Sequence, residues 1–482
     1  MIQRIYRHVR HVRFDELVLL ALVLVIFALG YIQLTLTTGS SQLEPTARGV
    51  FRILWPSMVP LLCFVILSLL MHRYQPRVDQ LILPLTAFFS GMGLLFTARL
   101  DQSLQVLYPG TYPNIDVRQA VWTMLGITVF GLIVLVPWDT LLVRRTRMTL
   151  IDHLAHYRYA WMSLGLLLIL ATFLFGADPN GSGVKAWLKF GSLYFQPSEL
   201  LKLTLVIFLA SYLDEQRQQL IRGEEFRWYG WRWYKGGWKQ RTTPLISFHL
   251  PSIQAMVPLL VMWGLAMVLI VIQHDLGAAL MLYTVFLAML YVATGRSLYA
   301  VLGLIAFALG AIVLYQYLDV VQLRAALWID PWSHARGYQS VQSIYALASG
   351  GVLGSGIGQG IPGIVPAAHT DYIFTSIGEE LGMVGAVGVL MGYLLLAVRG
   401  YGIAMRLTGR FSMFEQLLAV GCTTILAVQT IIIIGGNVRL IPLTGITLPF
   451  VSYGGSAVLM NFVVMGLLAR LSINQRDLSE SR

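Results

Sequence analysis

Residues 17–36 read "LVLLALVLVIFALGYIQLTL", a run without a single Asp, Glu, Lys or Arg. A helix that spans the hydrocarbon core of a bilayer needs about 20 mainly apolar residues, so this stretch is long enough to cross a membrane. The run is too long for the core of a cleaved signal peptide, and no small-residue cleavage site clearly follows it. It therefore predicts a retained membrane-spanning helix.

Comparable apolar runs recur along the whole chain, which has 482 residues, of which 57% are hydrophobic and 12% are charged. This pattern predicts an all-α, polytopic membrane protein with about twelve transmembrane helices and a large outward loop between the ninth and the tenth. The predicted spans are 17–36, 52–70, 79–98, 119–137, 159–176, 200–213, 255–272, 277–294, 298–316, 377–398, 417–435 and 448–469.

The net charge of +11 could indicate a nucleic-acid partner, so the positions of the basic residues decide its meaning. They gather on alternate connecting segments, as the positive-inside rule requires of a membrane protein. This pattern predicts that both termini are cytoplasmic and that segments 177–199 and 317–376 face outward. The basic positions include Arg4, Arg7, Arg10, Arg13, Arg144, Arg145, Arg147, Arg399, Arg406 and Arg410.

The longest basic segment, 214–254, interleaves Lys and Arg with four tryptophans. Such a composition could bind RNA, but beside a membrane it is more typical of an interfacial segment facing anionic lipid. We therefore predict contact with membrane lipid and no contact with nucleic acid.

Polar residues in the first outward loop lead into a helix at "FQPSELLK" (195–202). Pro197 suits the first helical position and Glu199 suits the first turn. Glu199 and Lys202 then lie one turn apart and can pair at the membrane boundary. The pair either anchors the helix end or takes part in the protein's function. The second alternative follows because charge within a membrane is costly and is mostly found at functional sites.

Two further outward stretches carry polar or flexible residues. "VIQHDLGAAL" (271–280) places His274 and Asp275 at a tight hairpin, where Asp275 either caps the following helix or takes part in chemistry. "SGGVLGSGIGQGIPG" (349–363) lacks the Gly-Lys-Ser/Thr ending of a phosphate-binding loop, so it favours a bendable loop that roofs a cavity.

The stretch "VPAAHTDYIFTSIGEELG" (365–382) gathers several charged residues beside a predicted span. Ser376 and Glu379 have the spacing of a capping box, which predicts that the tenth helix starts near Ser376. Asp371 and His369 lie just before it at the outer membrane surface, where partial burial would raise the pKa of a carboxylate toward that of a useful base. Asp371 is therefore the leading candidate for a functional group, with a solvated loop carboxylate as the alternative.

Five motifs, in this order, resemble the SEDS family (shape, elongation, division and sporulation; RodA/FtsW-like proteins). They are "AWLKFGSLYFQPSELLK" (186–202), "HDLGAAL" (274–280), "IDPWSHARGYQSVQSIYALASGGVLGSGIG" (329–358), "HTDYIFTSIGEELG" (369–382) and "LIPLTGITLPFVSYGGSAVL" (440–459). The resemblance divides the chain into a basic N-terminus with two extra transmembrane helices (1–78), a ten-helix SEDS core (79–472) and a cytoplasmic tail (473–482).

The resemblance implies a peptidoglycan glycosyltransferase of the bacterial cytoplasmic (inner) membrane, acting in cell-wall elongation or division. Such an enzyme polymerises lipid II, the undecaprenyl-diphosphate-linked disaccharide-peptide, into glycan strands at the outer face. The implied reaction is inverting, with Asp371 as the catalytic base. The implied partner is a class B penicillin-binding protein, which crosslinks the strands.

The resemblance also implies residues that bind the substrate. Charge on the pyrophosphate leaving group requires cations, supplied either by basic side chains, Lys189 among them, or by a divalent ion such as Mg²⁺ or Mn²⁺. No cofactor is certain and no metal ligand is assigned. The implied substrate-binding residues are Lys185, Trp187, Glu199, Lys202, Asp275, Arg336, Gln339, His369 and Glu379.

Three positions depart from the family pattern. Ala186 precedes Trp187 where many members have Arg, His274 replaces the usual Pro, and Ala367 stands where many members have Glu.

The alternative functions are a lipid II flippase, a non-catalytic scaffold and a different lipid-linked sugar polymerase. A flippase would need charge near the bilayer midplane and repeated halves, and the sequence has no evident internal repeat.

Overall fold

The computed structural model describes the chain in segments and consists mainly of helices, which confirms the predicted all-α membrane protein. The described residues are 13–38, 47–108, 114–178, 185–191, 193–222, 224–228, 231–234, 237–240, 246–250, 253–408 and 413–473.

Sixteen α-helices make up most of the described residues. They are α1 Phe14–Thr38, α2 Ala47–Tyr74, α3 Ile82–Leu107, α4 Ile115–Leu135, α5 Trp138–Thr146, α6 Leu150–His156, α7 Arg158–Phe175, α8 Pro197–Arg222, α9 Ile253–Ile272, α10 Leu276–Thr294, α11 Ser297–Tyr317, α12 Asp319–Ile329, α13 Tyr338–Gly350, α14 Ile373–Leu407, α15 Met413–Asn437 and α16 Gly455–Ile473.

Short antiparallel strands lie in two of the connecting segments. A three-stranded sheet joins α7 to α8, and two separate strand pairs, β4 with β7 and β5 with β6, lie between α8 and α9. The strands are β1 Gly176–Ala177, β2 Trp187–Phe190, β3 Leu193–Phe195, β4 Glu224–Trp228, β5 Trp231–Tyr234, β6 Gly237–Gln240 and β7 Ile246–Leu250.

Within the described residues, eleven helices are long and apolar enough to cross a membrane. The remaining predicted span, 200–213, lies inside α8, which has 26 residues. Because α8 carries Glu199, Lys202 and Asp214 within one membrane-spanning length, its composition alone does not identify it as a span. The exact number of crossings therefore stays a prediction.

The segment predicted as a large outward loop, 317–376, is largely helical. It contains α12, α13 and two single turns of 3-10 helix, Ala335–Gly337 and Pro362–Ile364. These short helices place many backbone N–H groups of this long connection in internal hydrogen bonds.

The interior of the bundle depends on close helix approach at glycine. A Cβ atom on Gly126 of α4 would lie 2.1 Å from Cδ2 of Phe462 on α16. Small residues at such crossings allow the van der Waals contact that stabilises helices in lipid. By contrast, α11 lies at the rim of the bundle, with Tyr299 its one buried residue.

Helices α1 and α2 are packed onto the rest of the bundle. Arg13, predicted among the basic residues of a cytoplasmic surface, is instead buried, pairs with Glu16 and donates to the carbonyl oxygen of Val78 at 3.1 Å. Farther along α1, the rings of Phe27 and Phe88 on α3 lie 5.9 Å apart. The N-terminal helix pair therefore forms part of the same packed structure.

Some predictions fall outside the described residues. They concern Arg4, Arg7, Arg10 and Arg410, residues 474–482 and the side chains in much of segment 214–254. The predicted lipid contact of segment 214–254 and the cytoplasmic tail therefore stay predictions.

Replacing Gly126 with Ala should destabilise the fold by about 1–3 kcal/mol, because the new methyl group overpacks against Phe462. The free energy of unfolding, measured by titrating a denaturing detergent into micelles, checks this value. Gly388→Ala is the matched control, because a Cβ atom there meets nothing within 4 Å. Equal stability of the two variants would contradict the assigned crossing of α4 and α16.

Candidate active site

A cavity of about 260 Å³ opens beside the residues that precede α14. Leu323 and Leu327 of α12 give it an apolar wall, and polar side chains line the remainder. The structure thereby brings three of the predicted site residues together in one space. They are Asp371, Arg336 and Gln339.

Asp371 is held by its backbone from two directions. The carbonyl oxygen of Ala367 accepts the N–H groups of Thr370 and Asp371, both at 3.1 Å, and of Tyr372 at 3.3 Å. The carbonyl oxygen of Asp371 in turn accepts a hydrogen bond from Nδ2 of Asn437 at 2.7 Å. These bonds fix the backbone of Asp371 against Asn437, the last residue of α15.

The environment of Asp371 suits a carboxyl group that exchanges a proton. Its side chain keeps some surface toward the cavity, yet the protein surrounds it closely enough that burial raises its pKa to about 6. A hydrogen bond from Thr370 and the charge of Arg324 lower the pKa, whereas the charge of Asp275 raises it. A general base works best when its pKa lies near the working pH.

Arg324 is a cavity residue that the sequence analysis missed. It lies on α12, lines the cavity, donates to the carbonyl oxygen of Thr444 at 3.2 Å and acts on the charges of both Asp275 and Asp371. It is the single basic residue in the largely apolar stretch "LDVVQLRAALWI" (318–329). That isolation was the available signal, since charge in apolar surroundings is costly.

Arg439 is a second missed cation of the cavity. Its guanidinium donates to the carbonyl oxygen of Trp328 at 2.6 Å and lies 5.1 Å from the ring centre of Trp332. These contacts join the segment after α15 to the end of α12. Arg336, by contrast, is exposed at the cavity and available to a ligand.

A ladder of hydroxyl and amide groups supports the wall behind Asp371. Oγ of Ser343 lies 2.7 Å from Oγ1 of Thr375, which donates to Oδ1 of Asn437 at 3.1 Å. Oγ of Ser340 lies 2.9 Å from the hydroxyl of Tyr372. These bonds join α13, α14 and α15 across the base of the site.

Glu199, Lys202 and Asp275 form a neighbouring polar cluster. The predicted pair is present, with Nζ of Lys202 2.5 Å from Oε2 of Glu199, and both side chains are largely buried. Asp275 caps α10, as predicted, by accepting the N–H of Ala278 at 3.0 Å. Burial raises the pKa of Asp275. The charge of Arg324 acts on both Asp275 and Asp371, so it links this cluster to the cavity.

Other predicted site residues lie away from the cavity lining. Lys185 is exposed just before β2, and Trp187 begins that strand. His369 is buried with its ring centre 5.8 Å from that of Tyr453, and burial lowers its pKa to about 4, so its ring is neutral at physiological pH.

Glu379 differs from its predicted structural role. The capping box with Ser376 is wrong, because α14 already begins at Ile373 and its cap residue, Tyr372, makes no side-chain cap hydrogen bond. Oε1 of Glu379 instead accepts the N–H of Ile361 at 2.7 Å. A tertiary hydrogen bond to Ile361, at the end of the Gly-rich stretch, therefore takes the place of the local cap.

The described residues contain no group of three or more His, Cys, Asp or Glu side chains that could hold a metal ion. The divalent cation therefore stays a prediction.

The family model for cell cycle proteins, FtsW/RodA/SpoVE, matches residues 79–477. This chain therefore belongs to the FtsW/RodA/SpoVE family, which confirms the predicted SEDS membership.

Several curated proteins are similar to this chain. The peptidoglycan glycosyltransferase RodA of Mycobacterium tuberculosis H37Rv is 36% identical over 413 residues, which cover 85% of this chain and 81% of that protein. RodA of Mycobacterium leprae is 34% identical, covering 87% and 83%. A probable peptidoglycan glycosyltransferase FtsW of Geobacter metallireducens is 30% identical, covering 64% and 76%.

Solved structures share the fold. A chain from "Structural coordination of polymerization and crosslinking by a peptidoglycan synthase complex" superposes with a TM-score of 0.62 at 23% identity, covering 83% of this chain and 98% of that one. RodA of Thermus thermophilus gives a TM-score of 0.53 at 24% identity, with the same coverage.

Asp371 should hold its proton up to about pH 6, because burial disfavours the anion. Infrared spectra recorded against pH, with Asp371→Asn subtracted, should show the carbonyl stretch of this acid disappearing near that pH. Arg324→Gln should move the midpoint upward, because it removes a cation that stabilises the anion. The exposed Arg144 supplies the control, Arg144→Gln. An unshifted midpoint in Arg324→Gln would contradict the electrostatic effect assigned to Arg324.

Proposed function

We propose that this protein is a peptidoglycan glycosyltransferase that polymerises lipid II into glycan strands at the outer face of the bacterial cytoplasmic membrane. The observation that carries the proposal is the carboxyl group of Asp371 in a cavity with Arg324, Arg336 and Arg439. A base beside several cations suits a reaction that removes a proton from one sugar and releases a pyrophosphate from another. The relatives named peptidoglycan glycosyltransferase support the same chemistry.

In the proposed reaction, the carboxylate of Asp371 takes the proton of the 4-hydroxyl group on the acceptor GlcNAc. That oxygen attacks the anomeric carbon of the donor MurNAc, and the bond to the pyrophosphate breaks as the new glycosidic bond forms. Undecaprenyl pyrophosphate leaves with the electron pair. A single displacement of this kind inverts the configuration at the anomeric carbon.

Arginine suits the leaving group because its planar guanidinium can donate two parallel hydrogen bonds to phosphate oxygens. Arg324 and Arg439 are partly engaged by backbone carbonyl oxygens, so they are already oriented around the cavity. Arg336 is exposed and can meet the substrate directly. A divalent cation bound together with the pyrophosphate is the alternative source of positive charge.

The apolar wall of the cavity suits the lipid end of the same substrate. Val320, Leu323 and Leu327 face the cavity from α12. Prenyl chains bind by burying apolar surface, while the polar side of the cavity orients the reacting groups.

The proposed partner is a class B penicillin-binding protein, which crosslinks the strands that this enzyme makes. Support comes from the similar fold of a chain described in a peptidoglycan synthase complex that coordinates polymerization and crosslinking. The proposal covers elongation and division alike.

Asp371→Asn should abolish strand formation from labelled lipid II by the purified protein with its cognate partner, because an amide cannot accept the proton. Asp319→Asn is the matched control, since Asp319 is exposed at the start of α12. Polymer from Asp371→Asn at the wild-type rate would contradict the assigned base. No polymer from any variant, with lipid II crossing vesicle bilayers in the presence of the protein, would favour a flippase.

Arg336→Gln should lower kcat/KM for lipid II about ten- to 100-fold, since a hydrogen bond to a charged group contributes about 1.5–3 kcal/mol. Arg336→Lys should fall between wild type and Arg336→Gln, because an ammonium keeps the charge but loses the bidentate geometry. Steady-state kinetics measure the values, again with Arg144→Gln as control. A kcat/KM unchanged in Arg336→Gln would remove Arg336 from the substrate site.

A further inference from the structure

The helix that follows Asp371 is broken near its start and receives a second segment at the break. Gly382 has φ +66° and ψ −170°, which no α-helical residue has. The N–H groups of Ser355 and Gly356 donate to the carbonyl oxygens of Glu379 and Glu380 at 2.9 and 3.0 Å. The Gly-rich segment, here residues 350–361, is therefore joined to the first turns of α14 instead of bending freely over a cavity.

Two buried carboxylates at the break complete this attachment. Oε1 of Glu379 accepts the N–H of Ile361 at 2.7 Å, and Oε2 of Glu380 accepts the N–H of Gly358 at 3.1 Å. Nε of Arg99 on α3 donates to Oε1 of Glu380 at 2.8 Å, and its Nη2 donates to the carbonyl oxygen of Gly360 at 2.7 Å. Arg99 thus binds α14 and the Gly-rich segment with one guanidinium group.

The far side of the Gly-rich segment rests on α1. A Cβ atom on Gly358 would lie 2.1 Å from Oγ1 of Thr37, and Gly358 has φ +84°, so only glycine fits there without strain. Oγ1 of Thr37 lies 3.5 Å from the carbonyl oxygen of Ile357, whose Cδ1 lies 3.8 Å from the Cβ position of Gly30. The segment therefore lies between α1 and α14 and contacts both.

We infer that α1 braces the candidate active site. We infer also that Arg99, on α3, is a positioning residue that takes part in this bracing. α1 presses the Gly-rich segment onto the broken start of α14, and Arg99 with Glu380 fixes the two together. α14 begins two residues after Asp371, so the brace sets where the Asp371 carboxyl lies relative to Arg324 and the cavity. The expected loss of turnover rests on the proposed function. The effect of the brace on the position of Asp371 does not depend on that function.

The protonation of Asp371 reports on this positioning. The charged groups that act on Asp371 are Arg324 and Asp275. Arg99 is engaged with Glu380, Gly360 and Ser103. Replacing Arg99 can therefore change the titration of Asp371 only by moving it, and a merely stabilising role for Arg99 would leave that titration unchanged.

The experiment compares Arg99→Met with Arg399→Met in the full chain. Arg399 lies on α14 and its Nε donates to Oδ2 of Asp79 at 2.8 Å, whereas Arg99 lies on α3 and pairs with Glu380 of α14. Both variants therefore remove the arginine of one ion pair that involves α14. Both should lower the thermal midpoint in detergent. Only Arg99→Met should shift the infrared titration midpoint of Asp371 and reduce turnover by about ten- to 100-fold at saturating lipid II, since small misplacements of reacting groups have effects of that size.

A second pair of variants tests α1 without removing a charge. Thr37→Leu adds bulk against Gly358, whereas Thr35→Leu adds the same bulk two residues away, where the Thr35 hydroxyl bonds only within α1, to the carbonyl oxygen of Ile32 at 2.8 Å. Thr37→Leu should shift the Asp371 titration and lower turnover, and Thr35→Leu should change neither.

Unchanged Asp371 titration in both Arg99→Met and Thr37→Leu would overturn the brace. Equal shifts in each variant and its control would also overturn it, because the effect would then be general loss of stability. If wild type forms no polymer, the proposed function fails, while the infrared titrations still decide whether the brace exists.

Discussion

Irregular backbone that is buried in a membrane bundle must find acceptors for its peptide N–H groups inside the protein, because lipid supplies none. Here the acceptors for the Gly-rich segment are the carboxylates of Glu379 and Glu380 and the carbonyl oxygens freed by the break at Gly382. The turn that carries Asp371 meets the same requirement through the carbonyl oxygen of Ala367. The geometry of the cavity therefore depends on hydrogen bonds that lie outside it.

The electrostatics of the cavity balance two demands. A pyrophosphate leaving group requires cations close to the reaction, but cations also stabilise a carboxylate and weaken it as a base. Around Asp371, burial has the larger effect and raises the pKa to about 6, despite Arg324. The negative charge of Asp275 acts in the same direction as burial, and Arg324 also faces Asp275 and donates to the carbonyl oxygen of Thr444. Positive charge and a usable base therefore coexist.

The sequence predicted what depends on local pattern. Apolar runs predicted the eleven described helices that are long and apolar enough to cross a membrane. Pro197 and Asp275 were placed at helix starts, and the motifs brought Asp371, Arg336 and Gln339 to one site. It failed where distant segments meet. Arg324 and Arg439 enter the cavity from α12 and from the turn after α15, and no spacing in the chain relates them to Asp371. The capping box failed because Glu379 bonds to Ile361, a contact between segments.

Ala367 shows why a departure from the family pattern can leave the site intact. Two backbone features of Ala367 shape the turn before Asp371. Its carbonyl oxygen accepts three N–H groups, and its backbone is left-handed, with φ +56°. A left-handed conformation costs a non-glycine residue about 1–2 kcal/mol, and the three hydrogen bonds offset that cost. Neither feature needs the carboxylate that many family members carry there. The turn that presents Asp371 is therefore set by the backbone, and charge near the base is left to Arg324 and Asp275.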